Sequence, residues 1–211
     1  MTNVNNDLLQ LRSEIALLAA RMVAQDGADL DTARRKAARQ VLGVTAPKPN
    51  MMPDDAQLEY EVRKYLALFG GPAHAERLAG LRATALQVMQ ALSDFNPYLT
   101  GAVLSGIATE HDDIHLQLFA DSAKEVQIYL LNRNVNIEIS QTRHFKGGRH
   151  APVETVSFPW MNETVHAELY EYQDLRGALK ARADGRAQRI DIAGLRALIA
   201  QDEHIETDPG S

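Results

Sequence analysis

Cysteine is absent from the 211-residue chain. Its absence excludes a disulfide framework, a thiolate zinc site and a cysteine nucleophile together. Long apolar runs are missing too: the first thirty residues mix Asn, Asp, Arg and Glu with leucines, which fits neither a signal peptide nor a membrane span. A cytoplasmic location is the expectation. Positive charge is in deficit, with a formal net charge of -6, so a surface coated for non-specific DNA binding is not expected. No nucleophile-elbow GxSxG, no Walker loop and no dinucleotide fingerprint occurs.

What remains is ordinary globular composition, 45% hydrophobic and 24% charged, sufficient for one core with an appended helical segment. Leu8, Leu11, Ile15, Leu18 and Met22 recur at helical spacing up to Gly27. A second helix starts at Asp29 or Asp31, carries Leu30, Ala33, Ala37 and Val41 inward, and stops at Gly43. Its Arg34, Arg35, Lys36 and Arg39 read as a charged outer face. Three prolines in "VTAPKPNMMPDD" then mark a linker. Residues 1–50 are therefore expected to form a helical extension, 51–200 the main domain and 201–211 a disordered tail. Two more helices follow, one capped by Asp54 or Asp55 and broken at Gly70 to Pro72, one bearing Leu78, Leu81, Ala85, Val88 and Leu92.

Beyond Pro97 the period shifts toward two. Strands are expected at about 99–105, 114–120, 135–142, 153–160 and 165–172, with a helix capped by Asp121 or Ser122 after the second. A stretch from Asp174 to about Ala183, a break at Gly185 and a helix from Asp191 close the chain. The fold class predicted is α/β (α+β): a mixed sheet of about five strands with helices on one face. Alternation puts Ile114, Leu116, Leu118 and Ala120 on one side, and Asp113, His115, Gln117 and Phe119 on the other. Likewise Glu138, His166 and Glu168 oppose apolar neighbours, which predicts an open polar face carrying Asp113, His115, Glu138, His166 and Glu168. The simplest account of such a face is solvation. Its functional counterpart is metal-dependent phosphoryl chemistry, which needs carboxylates two apart on a strand, a third from a neighbouring strand, and amides of a small-residue turn for phosphate.

"LSGIA" at Leu104–Ala108 followed by "DDIHLQLF" resembles the signature of the DNA polymerase beta superfamily of nucleotidyltransferases, particularly its small bacterial members. The likeness covers roughly residues 99 to 172. It implies metal-dependent nucleotidyl transfer from a nucleoside triphosphate to an acceptor that is protein, RNA or a small molecule. Asp113 takes the first carboxylate position and Glu168 the third, so Asp113, His115 and Glu168 are the implied catalytic and metal-binding set, with Mg2+ or Mn2+ as cofactor. Ser105, Gly106, Lys124 and Arg143 are the implied nucleotide-binding residues. His115 stands where the family has its second carboxylate, a ligand better suited to zinc or manganese than to magnesium. Three outcomes stay open: a single-metal or manganese enzyme, a site completed by Asp112 or Glu138, or a module that binds a nucleotide or protein without catalysis. The basic loop "RHFKGGRH" at Arg143–His150 reads as a solvated hairpin tip that can also meet a phosphate, and Phe158 and Trp160 read as core.

Overall fold

The computed structural model describes residues 2–43, 47–178 and 187–207. Two compact units result, Met1–Arg77 with Thr109–His111, and Leu78–Ala108 with Asp112–Ser211. The boundary expected near residue 50 lies inside the first unit, because the helix that follows the proline segment packs back onto the first helix of the chain.

In the first unit, α1 (Thr2–Asp26), α2 (Leu30–Leu42) and α3 (Asp55–Phe69) bury Ile15, Ala19, Ala37, Leu58 and Val62. Their ends follow local chemistry. The Asp29 side chain accepts from the Thr32 amide, and hydrogen bonds from the Thr32 side chain and then this amide hold its carboxyl below the ordinary range. Gly43 closes α2 at φ 64°, a conformation that favours glycine. Asp54 and Gln57 form a reciprocal capping box at α3. Arg34 pairs with Asp31 and, at 2.7 Å, with Asp55, while Arg35, Lys36 and Arg39 face solvent as expected.

α4 (Gly71–Ala91) leads into the second unit. There the strands are β1 (Tyr98–Thr100), β2 (Ile114–Ala120), β3 (Glu138–Thr142), β4 (Val153–Trp160) and β5 (Glu163–Glu171), in the order β1-β2-β5-β4-β3. β2 and β5 are parallel and the other neighbours antiparallel, so the sheet is mixed and open. Three helices, α4, α6 (Ala123–Leu131) and α8 (Ile192–Thr207), supply one cluster with Leu81, Val88, Val126, Leu130 and Leu195. Against them lie Ile114, Leu116, Leu118, Val165 and Ala167 from the sheet, all fully buried. This is the helix-covered face that alternation predicts. Phe158 is buried in the same core and Trp160 packs against it.

Four elements differ from the expectation. The strand foreseen at 99–105 ends at Thr100, because Gly101 turns the backbone to φ 72°; residues Gly101–Ser105 form the short helix α5, closed by Gly106 at φ 72°. The third strand begins at Glu138 rather than 135. The Val135 amide still bonds back to Leu130 at the end of α6, which leaves it unavailable to a ladder. Only α7 (Leu175–Ala178) is described in the 174–183 stretch; residues 179–186 lie outside the described residues. Finally, α8 continues through Thr207 into the segment expected as a disordered tail, and 208–211 lie outside the described residues.

Candidate functional site

Strand register decides which polar side chains of the second unit meet. Across the sheet His115 aligns with His166 and with Thr100, and His166 aligns with Ser157. The next row on the same face is Gln117, Glu168 and Thr155; the one beyond is Phe119 and Tyr170. Each step is two residues, about 7 Å. Asp113, His115 and Glu168 therefore do share one face, at three different levels.

At the entrance of β2, Asp113 Oδ2 lies 3.0 Å from His166 Nε2, and His166 Nδ1 lies 2.7 Å from Ser157 Oγ. A carboxylate only accepts, so in the neutral imidazole Nε2–H donates to Asp113 and the Ser157 hydroxyl donates to Nδ1. The His115 ring stacks on His166 with centroids 5.0 Å apart and packs over Gly101. Desolvation against the sheet, and then the neighbouring His166, lower the His115 pKa below the ordinary imidazole value, against the opposing pull of Glu168, Asp113 and Asp112. The Ser-Gly turn stands at this end of β2, since α5 contacts both β1 and β2. It is anchored from α4 by Arg82, which donates to the carbonyls of Val103 at 3.2 Å and Leu104 at 3.4 Å and pairs with Asp202.

Glu168 belongs to a different network. Its Oε2 accepts from Gln117 Nε2 at 2.9 Å and from the Tyr170 hydroxyl at 2.7 Å. Burial, with that donated hydrogen bond, drives the Tyr170 phenol well above its usual pKa. Nearby Arg189 is buried with Nε and Nη1 unpartnered and lies over the Phe145 ring at 4.5 Å; desolvation pushes its pKa down against the attraction of Tyr170, Glu168 and Tyr98. Glu168 thus points into the covered part of the face, toward Tyr170, rather than back to Asp113. Among the described residues no group of three or more His, Asp and Glu side chains is placed to hold a metal ion.

The other expected ligands sit elsewhere. Lys124 lies in the first turn of α6, after the far end of β2, about 20 Å along the strand from Asp113. Arg143 follows β3 at that same far end, its guanidinium 2.9 Å from where a Cβ on Gly148 would stand. Glu138 is exposed on the edge strand, in the row of Ser157, with β4 and β5 between it and His115. The 143–150 loop is only partly a solvated tip. Arg143, Arg149 and His150 are exposed, but His144 is buried and Phe145 meets Tyr170 edge-on with centroids 4.8 Å apart. His144 Nδ1 accepts the Lys146 amide, and Asp174 takes Lys146 Nζ and, at 3.4 Å, His144 Nε2. Burial pushes the Asp174 carboxyl up, but those two hydrogen bonds and charges outweigh it and leave its pKa lowered.

A cavity of about 490 Å³ opens at the far ends of β2 and β5, the usual ligand crevice of a parallel pair. Its walls include Asp121, Glu154, Glu171 and Asp174, a field that repels a triphosphate. At the other end, Asp113–His166–Ser157 has the bond order of an acid–base–nucleophile relay. Ser157 nevertheless sits on β4, paired on both sides by β3 and β5, so the strand amides are committed to ladders and do not form an oxyanion hole. His166 and Ser157 are the site residues that sequence reasoning did not select. Only register, not alternation, could have placed His166 beside His115.

Comparison with protein-family models, with curated proteins and with solved structures gives no match to this chain. No helix among the described residues is long and apolar enough to cross a membrane.

Proposed function

We propose that the second unit is a binding module, a nucleotidyltransferase-like sheet without catalysis, whose polar face recognises a nucleotide without a bridging cation. One observation carries this reading. The two carboxylates that metal-dependent transfer needs at one ion are each occupied by other side chains, Asp113 by His166, and Glu168 by Gln117 and Tyr170. Moving both to a common cation breaks three hydrogen bonds, two of them to a charged acceptor in a buried row, at about 1.5–3 kcal/mol each. The exposed imidazole of His115, stacked on His166 and packed over Gly101 at the start of α5, offers a flat ring for a base, and the Ser105–Gly106 turn that closes the same short helix is the seat this reading gives its phosphates.

A second reading, metal-dependent nucleotidyl transfer through Asp113, His115 and Glu168 with Mg2+ or Mn2+, is favoured by their common face and by the turn at the same end. Titrating a fluorescent nucleoside triphosphate in EDTA and in Mn2+, with released pyrophosphate assayed, separates the two. Equal affinity in both, with no pyrophosphate in protein, RNA or small-molecule acceptor mixtures, is expected. Binding that requires Mn2+ and disappears in Asp113→Ala establishes the second reading. Absence of binding in both conditions rejects the nucleotide as ligand.

A further inference from the structure

Two buried polar side chains on the sheet face lack a hydrogen-bond partner, and their needs are opposite. The bridge between Leu99 and Ile190 turns both of those side chains toward the helices, so alternation puts Arg189 on the polar face beside β1. Arg189 is 8% exposed, and its Nε and Nη1 meet no acceptor. Tyr170, Glu168 and Tyr98 attract it electrostatically, yet none of them takes these two nitrogens. Gln117, 7% exposed, is in register with Tyr98 on one side and Glu168 on the other. Its Nε2 donates to Glu168 at 2.9 Å; a carboxylate only accepts, so the amide cannot turn over, and Oε1 is left buried without a donor. Buried groups of this kind are rare in folded proteins, because each forfeits its hydration.

The loop that covers this part of the face can lift without unzipping the sheet, since β3 and β4 are paired only as far as Thr142 and Val153. Phe145 closes on the Tyr170 ring and lies under the Arg189 guanidinium. Two other side chains of the loop, His144 and Lys146, are tied down by one carboxylate, Asp174. A ligand that accepts from the guanidinium and donates to the amide oxygen satisfies both orphaned groups at once. Glu168 stands against a bare anion here and Arg189 against a bare cation, so the matching molecule carries both charges. We propose that this covered row is the seat of a small zwitterion, an α-amino acid, whose carboxylate lies against Arg189 and whose ammonium donates to Gln117 Oε1, with the 143–150 loop closed over it. The seat lies a row beyond His115, His166 and Ser157, and the inference is independent of what those residues bind.

Ligand-observed NMR of the full chain, without nucleotide, against the common α-amino acids tests it. At least one is expected to bind. Its amide, which lacks the carboxylate, and its N-acetyl derivative, which lacks the ammonium, are each expected to bind about tenfold or more weakly. Arg189→Met is expected to abolish binding with an unchanged circular dichroism spectrum, and amide hydrogen exchange in the 143–150 loop is expected to slow when the amino acid is bound. Failure of every amino acid to bind leaves a buried water as the partner of the two groups and overturns the proposal. Acid and amide bound equally overturn it without recourse to a variant, and binding retained in Arg189→Met does the same. Loop exchange indifferent to a bound amino acid overturns the closure.

Discussion

The polar face of the sheet has two ends that the same alternating pattern produces and that are built differently. At the entrance of β2, His115 is exposed and Asp113, His166 and Ser157 form a hydrogen-bonded row with solvent access. Two rows further on, Phe119 is fully buried, stacked on Tyr170 and edge-on to Tyr98, under Phe145 and Leu175. Between them Gln117 and Thr155 are buried although they belong to the polar set. Alternation reports which side chains share a face; whether a loop folds back over that face is a separate question, decided by the loop's own apolar residues. Here Phe145 supplies them.

The largest effect that can break this comparison is on stability. If the far end is truly covered, Phe119→Ala costs about 3–5 kcal/mol in urea unfolding, as for a core aromatic. A cost below about 0.5 kcal/mol, the value for an open surface position, removes the distinction. Next comes Tyr170→Phe, which takes a donor from Glu168 in a buried row and is expected to cost about 1.5–3 kcal/mol. Ser157→Ala in the open row should cost about 0.5 kcal/mol by comparison. Equal costs for the two would show that both rows are equally wet.

His115 sharpens the comparison through pH. Its pKa is lowered in the folded chain, so the unfolded chain binds the proton more readily. The associated stability is fully present above the unfolded imidazole value of about 6.5 and is lost as pH falls through the folded value. Urea midpoints at two pH values on either side of that range should therefore drop on acidification, and less so in His115→Gln. Identical drops remove His115 as the cause. Asp113→Asn is likewise expected to change stability by no more than about 1 kcal/mol, since its side chain is 42% exposed and the pair with His166 is screened.

Much of this was legible in the sequence. β2 and β4 have the bounds that apolar alternation predicts, and the caps at Asp29, Asp54 and Ser122 follow from residues whose short side chains accept backbone amides. The helix at Gly101–Ser105 was not, because Ala, Val and Leu suit strand or helix alike and the deciding feature is a single positive φ at Gly101. In the candidate site, the common face of Asp113, His115 and Glu168 follows from a period of two. Their separation does not: it depends on β5 pairing with β2 so that His166, not Glu168, stands beside His115, and on Tyr170 being buried where it can draw the Glu168 carboxylate away. Pairing between strands fifty residues apart in sequence leaves no local trace.

In the proposed binding module Asp113 and Glu168 occupy separate stations and do not grip one ion. A Mn2+ titration of the full chain without nucleotide, followed through paramagnetic broadening of the His115 and His166 ring-proton signals, tests this directly. Neither signal is expected to broaden selectively, and Glu168→Gln is expected to leave the response to Mn2+ unchanged. Selective broadening of both rings, abolished by Asp113→Asn and by Glu168→Gln alike, would contradict it.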